Sequence, residues 1–304
     1  MKKVRLPMAF LAGACLLAAG VAAHAKESES YTAYAEGKYL TALELAEKEA
    51  KSGSKEAYTL MGEIYAEGLG VAQDYTKAAD AYAKAADLGD PNAQFSLGLL
   101  VAEGRGVRKD LRIAGGLFEH AAEAGNAAAQ YNLALLYVNG RGRDMDDVKA
   151  AEWMAKAAAQ GNVQAQYDLG AFYQFGRGVP IDKVKAAEWT GKAADAGLSA
   201  AQVEYGVMLF KGVGVEADQK RAAQLFRLAA EDGNPVAQNR LARLYANGVV
   251  FDTDLVKAAK WHLIARQAGV SDFSLDIMLA KLTKEQRVEA ERAVDAWNSG
   301  RLTD

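Results

Sequence analysis

Apolar residues recur along the chain at helical spacing, in two kinds of segment that alternate. The first kind is clearest from Gln164 to Phe175, where the apolar and small side chains that share this spacing are Tyr167, Leu169, Gly170, Phe172 and Tyr173. The second kind begins at Asp182 and carries Ala186 and Ala193, which are seven residues apart and fall on one helical face. Both patterns predict helices, and the alanines leave room for a neighbouring helix to approach.

The two kinds of segment repeat together every 36 residues without an insertion. Glycine, which ends a helix in a left-handed conformation at no steric cost, recurs at Gly68, Gly104, Gly140, Gly176, Gly212 and Gly248. A second glycine follows two residues later in five units and is replaced by Val250 in the last. Aspartate, which can cap the second helix, recurs at Asp74, Asp110, Asp146, Asp182, Asp218 and Asp254. The six predicted units are 54–89, 90–125, 126–161, 162–197, 198–233 and 234–269.

An uninterrupted repeat of this length predicts an all-α solenoid, which grows by stacking units rather than by enlarging one core. Residues 26–53 keep the register of the repeat and are interpreted as a degenerate capping repeat, with helices near Ser30–Glu36 and Tyr39–Ser52. Residues 270–304 are interpreted as a helical cap, with a short helix over Ser271–Leu282 and a capping box at Thr283–Gln286. Four apolar residues of the last helix are expected to pack on the final repeat: Val288, Ala290, Val294 and Trp297.

The first 25 residues have the layout of a secretory signal peptide. Three basic residues precede an apolar stretch that ends in the A-x-A sequence Ala23-His24-Ala25, so the mature chain is expected to begin at Lys26. A membrane anchor is the alternative, although the apolar stretch is shorter than a span needs. A lipoprotein modified at Cys15 is a weaker alternative. We therefore expect the protein in the periplasm, or secreted, with no membrane span after cleavage and without its only cysteine.

The repeat also resembles a known family. Unit 162–197 reads A-x-Y-x-L-G-x-x-Y-x-x-G-x-G-V-x-x-D, followed by K-A-A-x-W-x-x-K-A-A-x-x-G. This pattern closely resembles the Sel1-like repeats, which are relatives of the tetratricopeptide repeats with a longer loop between the helices. The resemblance implies a right-handed α-solenoid superhelix of antiparallel helix pairs that serves as an adaptor for protein complexes. Its motif residues are structural, so it implies no ligand.

Charge, composition and short motifs argue against several classes of function. Without the leader the chain has 33 basic and 39 acidic residues, a net charge of about −6, and no basic run that would indicate nucleic-acid binding. His120 and His262 stand in different repeats and indicate no metal site. Ser52–Lys55 matches S-x-x-K, but the further motifs of penicillin-recognising enzymes are missing. The G-x-G pairs follow helices and lack a third glycine, so they do not indicate a phosphate loop. We predict no catalytic residue, metal or cofactor.

The remaining candidate is a surface formed by the first helices. By analogy with tetratricopeptide arrays these helices should line the concave side, giving a groove that is apolar and aromatic at its centre and polar or charged at both ends. Such a strip is typical of a site for a peptide or protein. The partner-binding residues predicted in or beside it are Phe95, Leu99, Tyr131, Asn132, Leu135, Tyr167, Gln174 and Phe210. The alternative is that these side chains pack between adjacent helix pairs.

The sequence therefore predicts a binding protein without a reaction of its own, acting as a scaffold or regulator in the bacterial envelope. Two alternatives stay open at this point. One is a secreted factor that binds a host protein, and the other is an enzyme that acts on the cell wall or binds β-lactams.

Overall fold

The computed structural model describes residues 28–301, and all of its regular elements are α-helices. The predicted signal peptide, residues 1–25, lies outside the described residues. Within them, none of the helices is long and apolar enough to cross a membrane. The prediction of an all-α repeat solenoid is confirmed. In chain order, α1 to α16 are Glu29–Ala35, Tyr39–Lys51, Lys55–Glu67, Tyr75–Asp87, Pro91–Glu103, Leu111–Glu123, Ala127–Asn139, Asp147–Ala159, Val163–Phe175, Lys183–Asp195, Ser199–Lys211, Gln219–Glu231, Pro235–Asn247, Leu255–Gln267, Phe273–Ala280 and Lys284–Arg301.

The chain divides into two compact units, which are described separately. Unit 1 comprises the described residues up to 165 together with 177–179, and unit 2 comprises 166–176 together with 180–301. In both units a 13-residue first helix and a 13-residue second helix alternate, as the 36-residue period predicts.

Local chemistry sets the ends of these helices. The first helix α11 ends at Gly212, whose φ of 66° is left-handed and whose N–H donates to the carbonyl of Met208. The second helix α10 begins after Asp182, whose carboxylate accepts the N–H groups of Val184 and Lys185, both at 3.0 Å. These contacts satisfy backbone groups that a helix end leaves unpaired. The predicted roles of the glycine and the aspartate are confirmed.

The second glycine of each pair has a different role. It allows the loop to lie against the preceding repeat. A Cβ atom on Gly214 would be 1.9 Å from the carbonyl oxygen of Lys183, at the start of the preceding second helix. On Gly106 it would be 2.2 Å from the carbonyl carbon of Tyr75. Only glycine permits such close backbone contact. At the position where the repeat replaces this glycine, Val250 keeps the left-handed conformation with a φ of 68°.

Inside each repeat, the core pairs a bulky side chain with a small residue of the facing helix. Phe118 and Phe226, at the same position of two second helices, are buried. Their rings lie against Gly98 and Gly206, where an added Cβ would be 2.6 Å from the ring. Fully buried alanines pack beside such rings, as Ala222 and Ala223 do in the cluster that contains Phe226. Burying one such aromatic side chain contributes about 2–3 kcal/mol to stability.

Both ends of the array close with the predicted helices. Helices α1 and α2 lie where the sequence places them, and the capping box is confirmed by reciprocal hydrogen bonds between Thr283 and Gln286, at 3.0 and 3.2 Å. Ala290 and Val294 are buried, and the ring of Trp297 meets Trp261 edge-on at 5.1 Å. The prediction for Val288 is wrong, because its side chain is 37% exposed. It lies two residues before the buried Ala290, so its side chain is on the opposite face of α16.

Candidate functional site

Each unit contains a cavity along its first helices. The unit 1 cavity has a volume of about 640 Å³ and is lined chiefly by α3, α4 and α5. Its walls combine aromatic, aliphatic and acidic side chains, among which are Tyr34, Tyr39, Tyr75, Tyr82, Phe95, Leu99, Glu63, Glu67 and Glu103. A concave, mainly apolar wall with a few charged groups is typical of a binding site.

The carboxylates of the unit 1 cavity differ in whether they form an ion pair. Glu103 pairs with Arg105 at 2.7 Å. Glu63 accepts a hydrogen bond of 2.6 Å from the hydroxyl of Tyr34, and burial raises the pKa of its carboxyl above the usual range despite that bond. Within residues 28–301, neither Glu63 nor Glu67 forms an ion pair. Two carboxylates beside tyrosine rings therefore give this cavity a surface that favours a cationic group.

The unit 2 cavity has a volume of about 440 Å³ and the opposite charge. Its lining includes Lys183, Lys211 and Arg240 against a single carboxylate, that of Glu204. The side-chain amide of Gln174 completes its polar lining. Aliphatic side chains form the rest of the wall, in particular Val203, Val207 and Met208.

Arg240 is the least satisfied of these cations. Its guanidinium lies 5.7 Å from the centre of the Phe226 ring, and its Nε is buried with no hydrogen-bond partner among the described residues. Burial, and then the neighbouring charge of Arg243, lower the pKa of Arg240 from its usual value. Arg243 is itself paired with the carboxylate of Asp272, so Arg240 stands beside a second cation without an anion of its own.

Of the predicted site residues in unit 1, two line the cavity and three are buried away from solvent. Phe95 and Leu99 are lining residues, although Phe95 is only 5% exposed and its ring lies 5.8 Å from that of Phe118. Tyr131, Asn132 and Leu135 are 4%, 0% and 0% exposed on α7. The burial of these side chains agrees with the alternative of packing between helices, and their role in partner binding remains a prediction.

In unit 2, two of the three predicted residues belong to the cavity's polar network. Gln174 lines it, and the hydroxyl of Tyr167 donates a hydrogen bond of 3.0 Å to the carboxylate of Glu204. Phe210 is half-buried and packs with the apolar cluster around Leu209 instead. A binding role for these residues also remains a prediction.

The charged residues of both cavities are absent from the predicted set, although the sequence carries a signal for them. Glu67, Glu103 and Lys211 occupy one repeat position, the last residue of the first helix, where the sign of the charge reverses along the array. Reading each repeat position for charge as well as for apolar character would have found them.

Outside the two cavities, the buried imidazole of His262 has a structural partner at one of its two nitrogens. His262 is fully buried, and its Nε2 lies 2.9 Å from the carboxylate of Asp276, which Arg266 also contacts at 3.3 Å. Among residues 28–301, no three His, Cys, Asp or Glu side chains come together as metal ligands.

Comparison with known proteins identifies the repeat. The family model for the Sel1 repeat matches six consecutive segments, 55–90, 91–126, 127–162, 163–198, 199–234 and 235–270. Each segment begins one residue after the corresponding unit drawn from the sequence. No curated protein sequence matches the chain.

Solved structures agree with this match. The c5321 chain, a protective antigen of uropathogenic Escherichia coli strains with an SLR fold, is 33% identical with a TM-score of 0.76. The match covers 84% of this chain and 56% of c5321, so this chain spans just over half of that protein's length. A Sel1 repeat protein from Oxalobacter formigenes is 30% identical with a TM-score of 0.67, and the match covers 80% of this chain and 97% of that one.

Proposed function

Because the chain belongs to the Sel1 repeat family, whose members are generally protein-interaction scaffolds, we propose that it is a scaffold or adaptor of the bacterial envelope. It binds a peptide or protein segment along its first helices and catalyses no reaction. Sel1 repeat proteins are typically non-enzymatic, in line with this proposal.

The observation that carries the proposal is the unit 1 cavity. Its volume of about 640 Å³ is large enough for several side chains of a bound segment. The rings of Tyr34 and Tyr75 and the side chain of Leu99 offer apolar contact, while Glu63 and Glu67 add negative charge. The preferred partner segment therefore carries apolar side chains together with a lysine or arginine.

Capture of a partner from envelope extract tests the proposal. We compare the wild-type chain with Leu99→Trp, which fills the cavity, and with Ile113→Trp, a matched change at a side chain of α6 that is 57% exposed. A partner should be recovered by the wild type and Ile113→Trp and lost from Leu99→Trp. Equal recovery by all three chains would contradict binding in this cavity.

The proposed location in the envelope depends on cleavage of the predicted signal peptide. Mass spectrometry of the exported chain tests this cleavage. A protein that begins at Lys26 and is found in the periplasmic fraction supports the proposal. An uncleaved chain that stays in the cytoplasm would contradict it.

A second candidate is a secreted factor that binds a host protein. The observation in its favour is that c5321, to which 84% of this chain is similar, is a protective antigen. Recovery of the mature chain in the culture supernatant rather than in the periplasm would favour this candidate over the first.

A further inference from the structure

We propose that the unit 2 cavity is a carboxylate-binding site that holds an aspartate or glutamate side chain of a partner's peptide segment. The proposal rests on the proposed function, since it assumes that the chain binds peptides. It adds a second site, in the other unit and with the opposite charge preference.

The first argument is the excess of positive charge around the cavity. Lys183, Lys211 and Arg240 line it, and none of the three forms an ion pair within the described part of the chain. The one lining carboxylate, Glu204, already accepts the hydroxyl of Tyr167. Two positive charges are thus left over, and an anionic group is the complement that this wall favours.

The second argument comes from two buried polar atoms of the cavity lining. The Nε of Arg240 and the Oε1 of Gln174 are both buried, and neither has a hydrogen-bond partner among residues 28–301. Buried polar groups are nearly always paired, so each unpaired atom requires an explanation. A rotation of these two side chains exposes both atoms to the cavity, where a carboxylate oxygen can accept from the Arg240 Nε–H and a peptide N–H can donate to the Gln174 oxygen. An acidic residue within a peptide supplies both groups at once.

The third argument is the apolar part of the wall, which favours a peptide over a free inorganic anion. Val203, Val207 and Met208 line the cavity together with the polar groups. The methylene groups of a glutamate side chain and a neighbouring aliphatic residue can pack on them, whereas an inorganic phosphate would leave them uncovered. The volume of about 440 Å³ accommodates such a pair of side chains.

Selection from a random hexapeptide library tests the site directly, because acidic, neutral and basic sequences compete for it in one experiment. The full chain is compared with Lys183→Gln/Lys211→Gln and with Arg227→Gln/Lys281→Gln, which removes the same charge from two exposed side chains of unit 2 outside the cavity. The wild type and the control should enrich peptides that contain Asp or Glu. The Lys183→Gln/Lys211→Gln chain should bind the best of them about tenfold more weakly, as expected for the loss of two interfacial charges.

A second arm needs no protein variant. The best acidic hexapeptide is remade with Asn or Gln at its acidic positions, and its affinity for the wild-type chain should again fall about tenfold. Inorganic phosphate at the same concentration should compete weakly. Full competition by phosphate would overturn the peptide carboxylate as the ligand.

The possible outcomes distinguish the carboxylate site from the proposed function as a peptide-binding scaffold. Because the unit 1 cavity is expected to enrich basic peptides from the same library, enrichment of peptides without any acidic sequences among them would overturn the carboxylate site and leave peptide binding supported. Enrichment of acidic peptides that both double variants bind equally well would also overturn it. A library that yields no enriched sequence on the wild-type chain would contradict both the site and the proposed function.

Discussion

The two cavities occupy the same positions of the repeat and differ in their chemistry. Three 36-residue repeats separate four lining residues of unit 1 from lining residues of unit 2, in the pairs Phe95 and Val203, Leu99 and Val207, Glu103 and Lys211, and Tyr75 and Lys183. Aromatic and acidic residues in the first set are replaced by aliphatic and basic residues in the second. The repeat therefore fixes where a cavity forms, and a few side chains determine which charge it accepts.

The backbone contacts around the two cavities are the same in unit 1 and unit 2. Gly106 lies against the backbone of Tyr75 in unit 1, and Gly214 lies against that of Lys183 in unit 2. Both contacts place the start of a second helix beside a cavity wall. Helices α5 and α11 likewise pack on Phe118 and Phe226 through Gly98 and Gly206. A change in this framework should have the same effect in both units, whereas a change in a lining side chain should have an effect in one.

The largest effect is expected from Gly106→Val and Gly214→Val. Each adds a side chain where a Cβ would come within 2.2 Å or 1.9 Å of backbone atoms, at a left-handed φ of 67° or 70°. Each variant should lose about 3 kcal/mol or more of unfolding free energy. Urea denaturation measures the loss. A similar loss at both positions supports a shared framework, and a loss at only one would contradict it.

The next largest effect is expected from reversing the charge of one lining residue. Lys211→Glu gives the unit 2 cavity the residue that unit 1 has at Glu103, and it should weaken binding of a selected acidic peptide by more than tenfold through repulsion. Lys281→Glu, an exposed position outside the cavity, is the matched control. Fluorescence anisotropy with the labelled peptide measures both. Equal affinities of the two variants would show that the position of the charge does not matter.

A pH dependence should appear in unit 1. Burial raises the pKa of Glu63, so this carboxyl takes up a proton as the pH falls through a value above its usual range. Protonation removes the charge that attracts a cation, so binding of a basic peptide should weaken over that interval. Stability should change in the opposite direction, because the folded state binds this proton more tightly than the unfolded state and gains stability as the pH falls.

Titration of peptide binding between neutral and acidic pH measures the effect. Glu63→Gln should bind the basic peptide more weakly at neutral pH and should lack this step in the profile. The acidic peptide bound by unit 2 serves as the internal control. A profile that is unchanged in Glu63→Gln would assign the step to another group.

The smallest effect is a gain in stability from Val250→Gly. Val250 occupies the position of Gly106 and Gly214 and keeps their left-handed conformation, with a φ of 68°. Relief of the strain on a β-branched residue should exceed the entropic cost of glycine by about 1 kcal/mol. Urea denaturation should show this increase. A decrease would mean that the packing of the valine side chain outweighs the strain of its backbone.

The sequence predicts the helices and their ends well because their causes are local. A glycine that ends a helix and an aspartate that caps one act within a few residues, as Gly212 and Asp182 show. Tertiary packing was harder to predict. Val288 is apolar, but it lies two residues before the buried Ala290 and therefore on the exposed face of α16. The spacing likewise places Tyr131 and Asn132 on α7 without revealing that their side chains are buried.

The cavities were only partly predictable for the same reason. The positions of Phe95, Leu99 and Gln174 on the first helices predict a surface role for them, and all three line a cavity. Lys183 and Arg240 were not predicted, because they come together only when α10, α11 and α13 pack. No spacing within one helix relates them.

Selection of hexapeptides with each cavity filled in turn tests most directly the claim that one framework carries two opposite charge preferences. Leu99→Trp and Val207→Trp each replace an aliphatic lining residue by a larger neutral one, at equivalent repeat positions of the two units. Leu99→Trp should lose the basic peptides that the wild type selects and keep the acidic ones. Val207→Trp should lose the acidic peptides and keep the basic ones. If both variants lose the same peptides, or neither loses any, the two cavities are not separate sites of opposite preference.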